Sequence, residues 1–435
     1  MPFKLSESRS GLVFMTGLLV AAGASVGLDQ GGRLLSQAQT LASLQSAKEE
    51  LAVAPRRALT PDDLTAATIA WTYIQANTRP ETGLVDSVAG FPSTTLWDQG
   101  SYVLAMLSAY RIGLINRAEL DFRLEQFLNT FERLPLFDGK LPNKVYHTET
   151  LAMVDYQNNA VEDGIGWSAL DVARILSALR AVERIEPKYG PQIRQLLGRW
   201  QLDAMTKGGQ LVGALKEGDE VTYPQEGRIG YEQYAARASA LWGLDVLGVI
   251  SARPVLKWED VLEVQVPVDK RDHSIFRAIT PILSEPFILQ GLELGLDSET
   301  ALLASRVYRA QEARYLATGT LTMVSEDHVD QDPYFLYSAV HSNGDAWAVV
   351  NENGKRYDEL RTLSVKSIFA WDALYQTEYT ALLRTHINDL GDPEKGWPAG
   401  IYETSGAVNE AYSLNTNAIV LEAIHNIAFG PLWQS

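Results

Sequence analysis

The sequence predicts an all-α fold: an (α/α)6 toroid of six inner and six outer helices, with a few short strands in its loops. Three observations predict it. Apolar residues recur at three- and four-residue steps through most of the chain. Six of these stretches are small and apolar on all sides, as buried inner helices are. The starts of those six lie near Trp97, Trp167, Tyr231, Glu285, Thr362 and Leu414, 52 to 77 residues apart, which leaves room for two helices and their loops. No motif recurs at a fixed period, so the regularity is one of architecture rather than of sequence repeat.

The first element is an export signal. Lys4 and Arg9 precede an uncharged run, GLVFMTGLLVAAGASVGL, from Gly11 to Leu28. A positive start followed by an apolar run targets a chain for export. The run could also just span a bilayer, while Ala22-Gly23-Ala24 offers a small-x-small cleavage site. Residues 1–28 are therefore expected to be a signal or a membrane anchor, the sole membrane contact. The protein is expected in the periplasm or cell envelope. Residues 29–60 follow as a stalk or peripheral helix, with Leu34, Leu35, Leu41, Leu44 and Leu51 at rough helical spacing until Pro55-Arg56-Arg57 breaks it. The toroid domain occupies residues 61–435. It opens on Thr60-Pro61-Asp62-Asp63, a capping threonine, a proline at the first helical position and acids in the first turn.

Within that domain the periodicity predicts helices over 62–77, 96–112, 117–131, 167–182, 192–205, 231–247, 298–315, 360–375, 378–390 and 414–427. EDVLEVQVPVD, MVSED and AWAVVNENGKRY are candidate strands. The Asn-Glu-Asn-Gly turn marks the last as a hairpin.

Composition narrows the chemistry. The chain is 46% hydrophobic, 9% aromatic and 21% charged, a globular profile with enough apolar surface for a large core. The net charge of −17 repels phosphate backbones, so nucleic acid is not an expected partner, whereas a neutral or cationic glycan is not repelled. With no cysteine, disulfides, thiolate metal sites and a cysteine nucleophile are excluded. There is no P-loop, no G-x-G-x-x-G after a strand and no G-x-S-x-G elbow. The six histidines show no metal-ligand spacing. No cofactor is expected. Asp327, Asp330 and Asp332 could hold Ca²⁺, but they miss the spacing of an EF-hand loop.

In a toroid the inner helices run the same way, so their N-terminal ends meet on one face. Carboxylates, amides and aromatic rings gather at those starts, a set suited to sugar: rings stack on a pyranose face, acids and amides bond its hydroxyls. Two carboxyl groups can break a glycosidic bond, one as acid and the other as base or nucleophile. Glu232 stands out at the head of an apolar helix, between Tyr231 and Tyr234, where burial would raise its pKa as a general acid requires. Asp98 or Asp332 is the expected partner carboxylate, with Glu403 in reserve. Trp97, Asn158, Asp163, Trp167, Tyr231, Tyr334, Trp397, Asn415 and Asn417 are expected to bind the substrate. Structural readings stand beside these: Trp97 and Trp167 as core plugs, Asp98 and Glu285 as acids favoured by a helix dipole, Asn415 or Asn417 as caps or loop partners.

Seven stretches carry a resemblance: TLWDQGSYVLAMLSAYRIGLI, LPNKVYHTET, GIGWSALDVARIL, IGYEQYAARASALWGLD, SEPFILQGLELG, SEDHVDQDPYFLYS and GWPAGIYETSGAVNEAYSLNTNAIVLEAI. Through them the chain resembles the bacterial family known as domain of unknown function 3131, over most of residues 61–431. The family's motif residues fall here on Trp97, Asp98, Trp167, Glu232, Asp332, Glu403 and Asn417. It is similar to (α/α)6 glycoside hydrolases of the glucoamylase-like and β-1,2-glucanase-like kinds. The resemblance thus implies a glycoside hydrolase or transglycosidase acting on an extracytoplasmic poly- or oligosaccharide. A non-catalytic glycan-binding or envelope-assembly protein on the same fold is the alternative.

Overall fold

Thr60 caps the first toroid helix, α1 (Pro61–Asn77). Its hydroxyl accepts the Asp63 N–H at 3.2 Å, and Asp63 accepts the Thr60 N–H at 2.9 Å, with Pro61 in the first turn. The structure, a computed structural model, describes residues 51–434. The expected export segment and all but the end of the stalk lie outside the described residues.

Eleven further helices follow: α2 (Leu96–Ile112), α3 (Arg117–Phe131), α4 (Ala169–Ile185), α5 (Gly190–Leu197), α6 (Tyr231–Ala240), α7 (His273–Phe276), α8 (Glu285–Leu289), α9 (Ser298–Thr318), α10 (Val365–Tyr375), α11 (Glu378–His386) and α12 (Leu414–Phe429). A π-helical segment, Gln290–Leu294, extends α8. Helices α2, α4, α6, α8, α10 and α12 pack neighbour against neighbour, and α12 returns to α2, so the inner ring is closed. They are apolar on nearly every side because they are covered on nearly every side. In α12 every residue from Leu414 to Ile427 is buried. Gly100 lets α2 and α4 approach closely: a Cβ there would lie 2.9 Å from Arg174 Cγ and 3.1 Å from the Arg174 carbonyl carbon.

The outer layer departs from the expected six. Helices α1, α3, α5, α9 and α11 supply five. The stretch expected to be helical to Leu247 stops at Ala240, and Gly243 at φ +80° turns the chain away. Beyond it, EDVLEVQVPVD lies in a hairpin of Leu256–Val261 and Val264–Asp269, whose second strand packs on α9. Its turn residues, Leu262 and Glu263, both have positive φ (54° and 66°), a two-residue turn that follows the strand twist without glycine or asparagine. AWAVVNENGKRY folds back at Asn351–Gly354 as a minimal hairpin: Val350 bridges to Arg356, and the Tyr357 N–H bonds the Val349 carbonyl at 2.9 Å.

Short strands are more numerous than the all-α expectation allows, nineteen among the described residues. The larger sheets sit at the starts of inner helices. One joins β1 (Ser93–Thr95), β2 (Val145–His147) and β3 (Met153–Val154), and β1 leads directly into α2. The hairpin strands are β4 (Leu256–Val261) and β5 (Val264–Asp269). A second three-stranded sheet is β6 (Glu326–His328), β7 (Phe335–Ser338) and β8 (Val349–Val350). A third joins β9 (Thr362–Ser364), which leads into α10, to β10 (Pro398–Tyr402) and β11 (Val408–Tyr412), which precedes α12. Rigid strand ends thereby fix the loops over one end of the ring.

Candidate functional site

First-turn residues of the inner helices meet. Glu285, at the start of α8, accepts the Trp97 indole N–H at 3.1 Å and the Asn415 amide at 2.9 and 3.1 Å. Lys366 Nζ, from the first turn of α10, lies 2.5 Å from Glu285 and 3.5 Å from Asp327. Tyr231, from the head of α6, sets its ring 5.7 Å from Trp97. One or two turns deeper, Arg174 of α4 donates to Ser101 (2.9 Å), Tyr234 (2.9 Å), Glu293 (2.6 Å) and Glu422 (3.4 Å). Ser101 in turn donates to Asn415 at 3.2 Å, linking the two levels. All six inner helices thus contribute to one polar column on the ring axis, which establishes that they run parallel. Glu293 reaches it from the π-helical segment, a local irregularity that often accompanies function.

Above this column lie groups that are part-exposed yet walled by protein, the signature of a recess. Glu326, on β6, is one. Desolvation pushes its carboxyl up, the charges of Glu285 and Asp327 add to that, and Lys366 and Tyr231 oppose it, leaving it at about 8. Asp327 beside it is raised to about 6 by burial, against the pull of Lys366. Tyr337, paired across the sheet with Glu326, lies within electrostatic reach of Glu326, Tyr156, Glu352 and Asp171. Asp171 stands in the first turn of α4, where Ser168 donates to it at 3.0 Å. Burial and then the charge of Glu226 push it up to about 7, with Ser168 and Lys144 opposing. Glu226 accepts the Ala169 N–H at 2.5 Å and so caps α4. Trp97, Leu170, Tyr231 and Tyr337 pack together with Leu283 and Ala339, so the starts of α2, α4 and α6 and strand β7 share this recess.

Of the residues expected from sequence, the structure brings Trp97, Tyr231 and Asn415 to this recess. Asp98 lies at its edge. Buried in the first turn of α2, it accepts from Ser87 (2.5 Å) and Thr95 (2.7 Å) as a cap partner.

The expected catalytic acid is placed otherwise. Both oxygens of Glu232 are held by Arg271, at 3.0 and 2.9 Å, and Gln225 donates to it at 2.8 Å. Desolvation pushes its carboxyl up, but the side chain is buried and both of its oxygens are engaged by Arg271. Glu403 is bound by Arg314 and Arg361, which outweigh burial and hold it below the usual carboxylate range. Asp332 is exposed, in the loop between β6 and β7.

The other expected sugar contacts lie elsewhere, some of them buried. Trp167 is 1% exposed and donates to the Val212 carbonyl; Trp397 is 3% exposed and donates to that of Ala66. Asn417 bonds both the N–H and the carbonyl of Trp397. Asp163 pairs with Lys216 at 2.8 Å, Asn158 occupies a left-handed turn position at φ 64°, and Tyr334 is exposed. Asp327, Asp330 and Asp332 do not share a ligand set. Asp327 faces Lys366, Asp330 accepts from Tyr402 (2.6 Å) and the Glu410 N–H (2.8 Å), and among the described residues no cluster of metal-ligating side chains forms.

The profile of the family described as "Protein of unknown function (DUF3131)" matches residues 65–430. The chain belongs to the DUF3131 family. No curated protein matches this DUF3131 chain in sequence. Solved structures do match it in fold. The endo-β-1,2-glucanase of Chitinophaga pinensis, solved with sophorotriose and glucose, superposes with a TM-score of 0.63 at 12% identity, over 86% of this chain and 94% of that one. The endo-β-1,2-glucanase of Talaromyces funiculosus, solved with sophorose, gives 0.57 at 13% identity, over 85% and 84%. The β-1,2-glucanase of Parabacteroides distasonis gives 0.58 at 12% identity, over 85% and 57%. The chain therefore shares its fold with these glucanases, and the likeness at these identities is one of fold.

Sequence reasoning missed Asp171, Glu226 and Lys366, and the deep set Arg174, Glu293 and Glu422. A signal was present for four of these: Lys366, Arg174, Glu293 and Glu422 are charges set among apolar residues of the inner helices, in SVKSIFAW, DVARILSAL, ILQGLELG and AIVLEAI.

Proposed function

We propose that this DUF3131 protein is a glycoside hydrolase or transglycosidase whose general acid is Glu326, with Asp171 as its partner carboxylate. The observation that carries this is the recess carboxyl of Glu326, kept protonated to about 8 by burial and by Glu285 beneath it. Asp171, at about 7, gives up its proton first. Between those values one carboxyl holds a proton for the leaving oxygen while the other is free to act as base or nucleophile. Trp97, Tyr231, Tyr337 and Tyr156 supply the aromatic surface for sugar rings. The substrate is read as a neutral glycan, because the recess acids would repel a uronate. The sugars bound in two fold neighbours, sophorotriose with glucose in one and sophorose in the other, support a glucan. Export to the periplasm or envelope through residues 1–28 belongs to the same proposal, and a phosphatase fusion at residue 60 reports it by activity outside the cytoplasm.

The test is product release. The full chain and Glu326→Gln are incubated with neutral and acidic bacterial glucans, and the products are read by mass spectrometry. New oligosaccharides from the parent protein alone are expected. Turnover by a folded Glu326→Gln protein overturns the assignment. Glycan binding without release by the parent protein establishes the glycan-binding alternative instead.

A further inference from the structure

Beneath Glu326 lies an ion pair with no access to substrate. Glu285 is 0% and Lys366 2% exposed, so neither touches a sugar. Their geometry is over-determined. The two oxygens of Glu285 are shared among Trp97, Asn415 and Lys366, from three different inner helices, and the Lys366 ammonium bridges to Asp327, next to Glu326 on β6. Burying two charges at this depth costs more than a pair of apolar residues would, so stability alone is a poor reason for them.

We propose that Glu285 and Lys366 are positioning residues for Glu326, whose opposed charges, locked beneath it, set the pH at which its proton leaves. The proposal rests on the reading of Glu326 as the general acid. The groups facing Glu326 are Glu285 from α8, Lys366 from α10, Tyr231 from α6, Tyr337 from β7 and Asp327 from its own strand. Those facing Glu285 beyond its bonded partners are Asp98 of α2, Arg174 of α4, Glu422 of α12 and His328 of β6. Among the groups acting on Glu326, Glu285 is the foremost like charge and Lys366 the foremost opposite one. Each is fixed in place by bonds from other elements of the ring. Removing one member must therefore shift Glu326 in one direction and removing the other must shift it in the opposite direction, whereas a purely structural pair would weaken the protein alike from either side.

The experiment is a carboxyl ¹³C titration of Glu326 by NMR in the full chain, the signal assigned by its loss in Glu326→Gln. The parent is compared with Glu285→Gln, Lys366→Met and the double variant. Glu285→Gln is expected to lower the midpoint by about one pH unit, Lys366→Met to raise it by about as much, and the double variant to restore it. Where the parent turns over a glycan, the alkaline limb of kcat/KM is expected to follow the same order. An unmoved midpoint in Glu285→Gln, or shifts of the same sign in both single variants, overturns the proposal. If Lys366→Met does not fold, because it strands the Glu285 charge, Glu285→Gln and the double variant decide alone: the first must shift and the second must not. Turnover retained by Glu326→Gln would instead overturn the acid role, leaving the titration to decide whether the pair governs Glu326.

Discussion

Arg271 grips Glu232 in a two-pronged pair, Nη1 to Oε1 at 3.0 Å and Nη2 to Oε2 at 2.9 Å, and uses the same guanidinium on Asp269. The acid that stands out most in the sequence is thereby a brace between α6 and the end of β5. Glu232→Gln is expected to lower stability by about 2 kcal/mol, because Arg271 loses a charged acceptor while keeping Asp269. Turnover at moderate temperature should remain within about twofold of the parent. Thermal unfolding and kcat measured on one preparation check both statements. A stable but inactive variant would return Glu232 to the chemistry.

Asp171→Asn is expected to reduce kcat by about 10²-fold or more, in line with loss of a general base. In the parent, the acidic limb of the pH–rate profile should fall near 7 and the alkaline limb near 8, from Asp171 and Glu326 respectively. Asp171→Asn should lose the acidic limb. Steady-state rates between pH 5 and 10 measure it.

Stability should also depend on Glu326. Its carboxyl is raised from an ordinary 4.5 to about 8 in the folded chain. The unfolded chain therefore releases this proton first. The contribution to stability is full below the ordinary value and is lost as pH rises through about 8. Glu326→Gln, uncharged throughout, should match the parent near pH 4 and unfold about 2 °C higher at pH 9. Scanning calorimetry at the two pH values distinguishes this from a uniform shift.

Gly100→Ala should cost about 2 kcal/mol, since the added methyl meets the backbone and the Cγ of Arg174 where α2 and α4 lie closest. Denaturant melts read the cost. An unchanged midpoint would mean that the two helices can part without loss.

Asn417→Ala removes the side chain that clamps the backbone of Trp397 from both sides. A loss of about 2 kcal/mol is expected, with substrate affinity unaltered, because Asn417 is wholly buried and bonds only backbone. Unfolding and KM measured together separate this from a binding role.

The fold was legible where the signal was local. Thr60 and Asp63 announce the start of α1, and the six inner helices declare themselves by having no polar face. The early end of α6 was less so, because Tyr231–Leu247 keeps its apolar spacing past Ala240 and the break rests on Gly243. The β4–β5 turn carries neither glycine nor asparagine. At the site, Trp97, Tyr231 and Asn415 could be read from their places at helix starts. The fate of each acid could not. Whether Glu232 is free or braced depends on Arg271, 39 residues away. Glu326 gains its character from Glu285 and Lys366, which only ring closure brings beneath it. Sequence spacing can say that acids gather at one face; it cannot say which of them acquires a cation.

The polar column on the ring axis also constrains the order in which the chain can become stable. Arg174 needs Glu293 and Glu422, and Glu285 needs Lys366 and Asn415. Those partners arrive 81 to 248 residues later in the chain. A ribosome that has released only α2 through α8 has made the charges without all of their counterparts, and α12, which seals the ring against α2, emerges last of the six. Until then several buried charges of the axis lack their native partners, which favours closing the ring in one cooperative step.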